Sequence, residues 1–247
     1  MFVTRGSRAL IAIVALSLVV ISASVRAEDK DTLGAKPPKG AIVLFDGKDL
    51  SGWRSIDSKD KPAPWKVENG YVEIVSGSHD ILTKEKFGPD FELHVEFWLP
   101  KLPPEVKDQA RANSGVYLQG RYEIQVLDSY MNETYANGSV GALYGIIAPD
   151  KKAQEKAIKP PEQWNTYDIT FHAPRVDASG KVTEKGRLTV KLNGIAIIDD
   201  GKFDRNTPGE IDKRLGEPGP ILLQDHRNKA GGPNVRFRNV WLKPLEK

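Results

Sequence analysis

SGVYLQGRYEIQVLDS, residues 114–129, alternates apolar and polar side chains for more than ten positions. Val116, Leu118, Tyr122, Ile124 and Val126 fall on one face. Tyr117, Gln119, Arg121, Glu123 and Gln125 fall on the other, with Gly120 between. Period-two alternation marks a strand with one buried face. The surrounding stretches read the same way. FELHVEFWL (91–99) and WNTYDITFHAP (164–174) alternate cleanly. WKVENGYVEIV (65–75) and RLTVKLNGIAIID (187–199) each carry an Asn-Gly pair, which favours the left-handed turn of a two-residue hairpin. GPILLQDH (219–226) and NVRFRNVWLKPL (234–245) complete the set. The charged stretch PDKKAQEKAIKPPEQ (149–163) is expected to hold one short helix in a surface loop. Many strands and few helical segments predict an all-β antiparallel sandwich. Its expected core includes Leu44, Val67, Leu93, Val95, Phe97, Ile169, Phe171, Val190, Leu192, Leu222, Phe237 and Trp241 beside the apolar face of 114–129.

The chain has 247 residues, and the first 27 stand apart. A basic start, MFVTRGSR, precedes the apolar run ALIAIVALSLVVISA; Val25 and Ala27 then suit cleavage after Ala27. This is the pattern of a secretory signal peptide. An uncleaved anchor is the alternative, but the apolar run is shorter than the ~20 residues a spanning helix needs. Residues 28–39 are polar and proline-bearing and read as a linker; 40–247 form the domain. With no cysteine, the chain has neither a lipidated signal nor disulfides, which suits a bacterial periplasmic or secreted protein. Arg5, Arg8 and Arg26 account for the whole net charge of +3. The mature chain is therefore near neutral. It has no basic block for a phosphate backbone and no later membrane-spanning run, so nucleic acid and membrane are not expected partners.

The polar face of 114–129 carries an aromatic ring, two amides, an arginine and one acid. Tyrosine stacks on sugar rings, and amides and guanidinium groups make directional bonds to hydroxyls. A solvated face with an Arg–Glu contact is the plainer reading, and alternation does not choose between them. Gln224, Asp225 and His226 gather at the end of another apolar run, where a histidine could move a proton or simply sit in a turn capped by Asp225. Arg236 and Arg238 share a face and could hold an anion or lie exposed. No metal-ligand spacing, phosphate loop, dinucleotide fingerprint or serine elbow is present. No cofactor is expected, although a divalent cation such as calcium in a loop stays open. A two-carboxylate glycosidase places its acids ~5–10 Å apart. The positions two and four residues from Glu123 are Gln119, Arg121, Gln125 and Leu127, none of them acidic.

LFDGKDLSGW, NSGVYLQGRYEIQVLDSY, GALYG, WNTYDITFHAPR, LNG and GPILLQDH with VRFRNVWLKPL, in that order from about Gly40 to Leu245, resemble the 3-keto-disaccharide hydrolase family. The resemblance implies a concanavalin-like jelly-roll β-sandwich of two curved antiparallel sheets, with carbohydrate on the concave face. It implies cleavage of glycosides already oxidised to a ketone at sugar carbon 3 by a separate oxidoreductase. Such a ketone acidifies the carbon 2 hydrogen, so elimination needs one base, a positive group for the enolate and an acid for the leaving group. The expected roles follow. His226 or Glu123 is the base, Arg121 polarises the ketone and Asp225 orients His226. Tyr117, Gln119, Gln125, Asp128, Tyr144 and Gln224 grip hydroxyls, with Arg236 and Arg238 as further substrate contacts. Two other readings fit the same residues. A non-catalytic carbohydrate-binding module would need the aromatics but no base. A conventional hydrolase of unoxidised glycans would need a second carboxylate from another strand.

Overall fold

The computed structural model describes residues 1, 30–229 and 231–246. The expected signal peptide therefore lies outside the described residues, apart from Met1. In chain order the strands are β1 (Ile42–Phe45), β2 (Trp53–Ser55), β3 (Lys66–Glu68), β4 (Tyr71–Glu73), β5 (Ile81–Thr83), β6 (Asp90–Trp98), β7 (Ser114–Leu118) and β8 (Tyr122–Val126). Then follow β9 (Trp164–His172), β10 (Arg175–Val176), β11 (Val182–Glu184), β12 (Gly186–Leu192), β13 (Ile195–Phe203), β14 (Leu222–Leu223) and β15 (Arg236–Pro244). The larger sheet runs β13-β12-β9-β6-β15-β4-β3, with β1 also paired to β15. The smaller sheet runs β2-β5-β14-β7-β8, and β10 and β11 pair apart. All pairings within both sheets are antiparallel, as the alternation requires. The short helix α1 (Lys151–Ala157) sits where expected, its first turn closed by Ala153 N–H donating to Asp150 Oδ1.

The apolar faces of the two sheets meet. Phe91, Leu93, Val95 and Phe97 of β6 lie with Ile169, Phe171, Val190, Val116, Ile124 and Val126 in one continuous core. At one end Tyr122, Phe171 and Phe203 pack ring against ring at 5.0–6.0 Å between centroids. Burying each such side chain contributes about 1.5–3 kcal/mol. Leu44 and Val67 are only partly buried at the edge of this core.

Three departures from the sequence reading bear on function. Residues 114–129 are a hairpin, not one strand. Gln119 (φ 53°) and Gly120 (φ 67°) take left-handed conformations, and Arg121 N–H donates to Leu118 O at 3.0 Å. The Gln119 amide donates to Phe87 O at 3.1 Å, which pins a turn that an Asn-Gly search overlooks. Tyr117 pairs with Glu123 and Gly115 with Gln125, so the odd-numbered residues still share a face. Second, a bulge interrupts β15 at Asn239 (φ 45°), turning Val240 and Leu242 inward and Trp241 outward onto the His94 ring at 4.9 Å. Trp241 is therefore not in the inter-sheet core. Third, residues 30–39 are more than a linker. Gly34 N–H donates to Glu96 Oε1 at 2.7 Å, Asn239 Nδ2 donates to Ala35 O at 2.9 Å, and Thr32 bonds Asp168. The segment lies as a strap across the outer face of the larger sheet.

Candidate active site

The outer face of the smaller sheet holds the cleft. Leu82, Leu222, Tyr117 and Glu123 form one rung across β5, β14, β7 and β8. On the next outward rung lie Gln224, Gly115 and Gln125, with Gln224 N–H donating to Gly115 O at 3.0 Å. Asp80, one residue before β5, continues that rung by alternation. Gly115 matters because a Cβ there would stand 2.4 Å from Glu123 Oε1. Its missing side chain is the space the carboxyl group occupies. Of these residues Tyr117, Glu123, Gln125 and Gln224 line a cleft of about 180 Å³, together with Gln109, Asn113, Tyr144, Pro208, Gly209 and His226.

Glu123 is only 4% exposed. Burial pushes its carboxyl up to about 8; the Tyr117 hydroxyl works against this and the charge of Asp80 works with it. Tyr117 Oη donates to Glu123 Oε2 at 2.9 Å and accepts from Gln224 Nε2 at 3.2 Å, so a short relay orients the carboxyl. Pro208 O, at 3.3 Å, competes for the one Tyr117 proton. Burial and the Glu123 charge hold the Tyr117 phenol well above its ordinary range. Asp80 is itself pushed up to about 6 by burial, against the Asp225 N–H that donates to it at 2.8 Å. His226 stands exposed at the mouth with no side-chain hydrogen bond among the described residues. Partial burial of its ring lowers its pKa, against the pull of the Asp225 charge. At neutral pH the cleft therefore presents a protonated carboxyl and a neutral imidazole.

The walls supply acceptors. Gln125 Nε2 is used by Gln109 Oε1 at 2.9 Å, and Asn113 Nδ2 by Gln109 O at 2.8 Å. The oxygens Asn113 Oδ1, Gln125 Oε1 and Gln224 Oε1 are buried without partners. Three such oxygens in one cleft suit the hydroxyl donors of a sugar, because a buried acceptor left unpaired costs about 1–3 kcal/mol. Tyr144 closes one side, its hydroxyl 2.6 Å from that of Tyr135. Gln109, Asn113 and Asp80 were not picked out from sequence. Gln109 lies in a one-turn 3-10 helix (Asp108–Ala110) and Asn113 in the loop after it, neither with a periodic pattern, whereas strand alternation back from Leu82 reaches Asp80.

Other expected site residues lie elsewhere. Arg121 is fully buried and bound to Asp212 through Nε (2.5 Å) and Nη2 (3.3 Å), with Nη1 on Glu217 O at 2.7 Å. It lines a different surface hollow, beyond the hairpin turn, so it is not placed to polarise a ketone beside Glu123. Gln119 is spent in that turn. Asp225 does not orient His226: its oxygens accept from the backbone N–H groups of Gly77 (2.6 Å), His79 (3.3 Å) and Arg227 (2.9 Å). Asp128 is buried against Arg111 at 2.7 Å and anchors a loop behind the cleft. Arg236 and Arg238 lie on the outer face of the larger sheet, across the sandwich. Arg236 binds Glu73 at 2.7 Å and stacks between Tyr71 and Trp98; Arg238 binds Glu96 at 2.7 Å over Trp164. On that face His94 Nδ1 also meets Asp168 Oδ1 at 2.7 Å. Burial works to lower His94, but Asp168 and Glu96 outweigh it and hold it above its ordinary value. The strap covers His94 and Glu96, while Asp168 and Trp241 border a separate hollow of about 230 Å³ on this face, across the sandwich from Glu123.

The sequence profile of the 3-keto-alpha-glucoside-1,2-lyase-like domain matches residues 40–243. A 3-keto-disaccharide hydrolase of Bacteroides thetaiotaomicron is 28% identical over 268 aligned positions, covering 92% of this chain and 87% of that protein. The crystal structure of a candidate glycosyl hydrolase from Parabacteroides distasonis superposes with a TM-score of 0.74 at 37% identity, covering 84% of this chain and 85% of the other. A second such protein from the same organism, at 21% identity and a TM-score of 0.58, shares the fold.

Proposed function

This chain belongs to the family of the 3-keto-alpha-glucoside-1,2-lyase-like domain, and from that premise we propose that it cleaves glycosides carrying a ketone at sugar carbon 3, by elimination followed by hydration. The observation that carries the proposal is the placement of Glu123 and His226 on one cleft, where burial pushes the carboxyl up to about 8 and lowers the imidazole. Environments that push two titratable groups apart assign the base and the acid. His226 removes the carbon 2 proton, which the neighbouring ketone has made acidic. The enolate collapses, the bond from carbon 1 to the leaving oxygen breaks, and Glu123 protonates that oxygen. Water then adds to carbon 1 of the enone, giving its proton to Glu123, and His226 returns a proton to carbon 2. Both groups end as they began. Tyr117 and Gln224 orient Glu123, while Asn113 and Gln125 accept from ring hydroxyls. The role expected of Arg121 has no support in its position.

Two further parts of the reading rest on chemistry and on the N-terminal sequence. The substrate must be supplied by an oxidoreductase acting on the sugar's carbon 3 hydroxyl. Export, with cleavage after Ala27, follows from the basic-apolar-small pattern of the first 27 residues. The test is cleavage in heavy water. Elimination puts deuterium on carbon 2 of the released keto sugar, above the exchange seen when the free product is incubated alone. Product with hydrogen retained at carbon 2 would point to direct hydrolysis.

A further inference from the structure

The cleft does not end at His226. It opens into a larger lobe of about 630 Å³, bounded by residues 105–113 and 226–229 and sharing Gln109, Asn113 and His226 with the catalytic part. The smaller part is the size of about one sugar ring. The lobe is therefore where the group on the far side of the scissile bond must lie. Its charge is lopsided. Lys107, Arg227 and Lys229 line it against the single acid Glu105, and none of the four takes part in an ion pair among the described residues. Asp108, next to Lys107, and Asp225, two residues before Arg227, do not line the lobe. Asp108 bonds Thr134 through its carboxylate, and Asp225 is held by three backbone amides. Arg227 sits in a left-handed conformation (φ 56°), its N–H donating to Asp225 Oδ1, so the loop carrying it is fixed in direction. Val106, Ala110 and Ala112 also line the lobe and give it an apolar part.

We infer that this lobe is the leaving-group subsite and that it favours keto-glycosides whose leaving group is anionic on a flat, partly apolar body, such as a carboxylated phenol. The inference rests on the proposed elimination. Opposite charges attract across the rim, and the apolar part receives the body of the group. Because the cations are exposed, the attraction is modest and screened by salt.

The test compares two 3-keto-glucosides with phenolic leaving groups of matched acidity and size, one bearing a carboxylate and one a neutral amide. At low ionic strength the carboxylate substrate should have the higher kcat/KM, by about tenfold, and the ratio should fall towards one in 0.5 M salt. A Lys107→Gln, Arg227→Gln, Lys229→Gln variant, checked for unchanged thermal unfolding, should bring the ratio to about one at low salt. If Arg227→Gln disturbs the loop, the Lys107→Gln, Lys229→Gln pair should still lower the ratio. Equal kcat/KM values in the wild type, or a ratio insensitive to salt, would overturn the inference and leave the elimination reading standing. Failure to cleave either substrate would overturn both.

Discussion

Replacing Glu123 with Gln should stabilise the protein while removing its activity, and the gain should depend on pH. The Glu123 carboxyl titrates near 4.5 in a free chain and at about 8 in the fold. Below pH 4.5 it is neutral in both states and contributes no difference. Between 4.5 and 8 the unfolded chain ionises and the folded one does not, so stability falls as pH rises, by roughly 1.4 kcal/mol per pH unit. Above 8 the penalty is complete, at up to about 5 kcal/mol; at pH 7 it is about 3 kcal/mol. Gln keeps the shape and can still accept from Tyr117 Oη but never ionises. The assay is thermal unfolding of wild type and Glu123→Gln from pH 4.5 to 9. The two curves should nearly coincide at the acid end and separate steadily, with the variant on the order of 10 °C higher at pH 8.5. A difference that stays constant across that range, or a variant less stable at pH 8.5, would refute the claim that this carboxyl is held protonated by burial.

Further outcomes follow from the same geometry. The pH profile of kcat/KM should rise through a pKa below 6.5, as His226 loses its proton, and fall above about 8, as Glu123 ionises. Tyr117→Phe should move the alkaline limb upward, because the lost hydrogen bond favoured the carboxylate; Asp80→Asn should move it downward, because a repelling charge is gone. Gly115→Ala should lower kcat/KM by about a hundredfold in a folded protein, since the new Cβ meets Glu123 Oε1. Arg121→Met should leave Asp212 with Arg214 as its remaining ion partner and cost about 1.5–3 kcal/mol in unfolding measurements, with kcat of the folded fraction near wild type.

Much of the fold can be read from alternation alone, because one buried face forces period-two patterning on β6, β9 and β12. The two Asn-Gly hairpins are equally plain. The hairpin at Gln119-Gly120 is not, since glutamine is an unusual left-handed residue and both flanking strands alternate in phase. That phase preserved the grouping of Tyr117, Glu123 and Gln125 even though the strand was read as continuous. The same parity also draws in Gln119 and Arg121: a shared face does not imply a shared place along it, and these two sit at the turn, away from the cleft. Asp225, Asp128 and Arg238 show a different limit. Their partners, the Gly77 amide, Arg111 and Glu96, come from remote segments that only the folded chain brings near. Gln109 and Asn113 carry no periodic signal at all: Asn113 stands out by an unpartnered oxygen that has meaning only inside a cleft, and Gln109 by accepting from the amides of Gln125 and Asn113.

The central claim is that Glu123 and His226 act on a ketone-activated sugar, and the most direct test is a substrate pair. Purified protein is offered a 3-keto-glycoside and its unoxidised parent, while released sugar and enone absorbance in the ultraviolet are followed together. Cleavage of the keto compound alone, with an enone appearing during turnover, is the predicted result. Cleavage of the parent at a comparable rate, with no enone, would contradict it and turn attention to Asp80 as a second carboxylate working with Glu123.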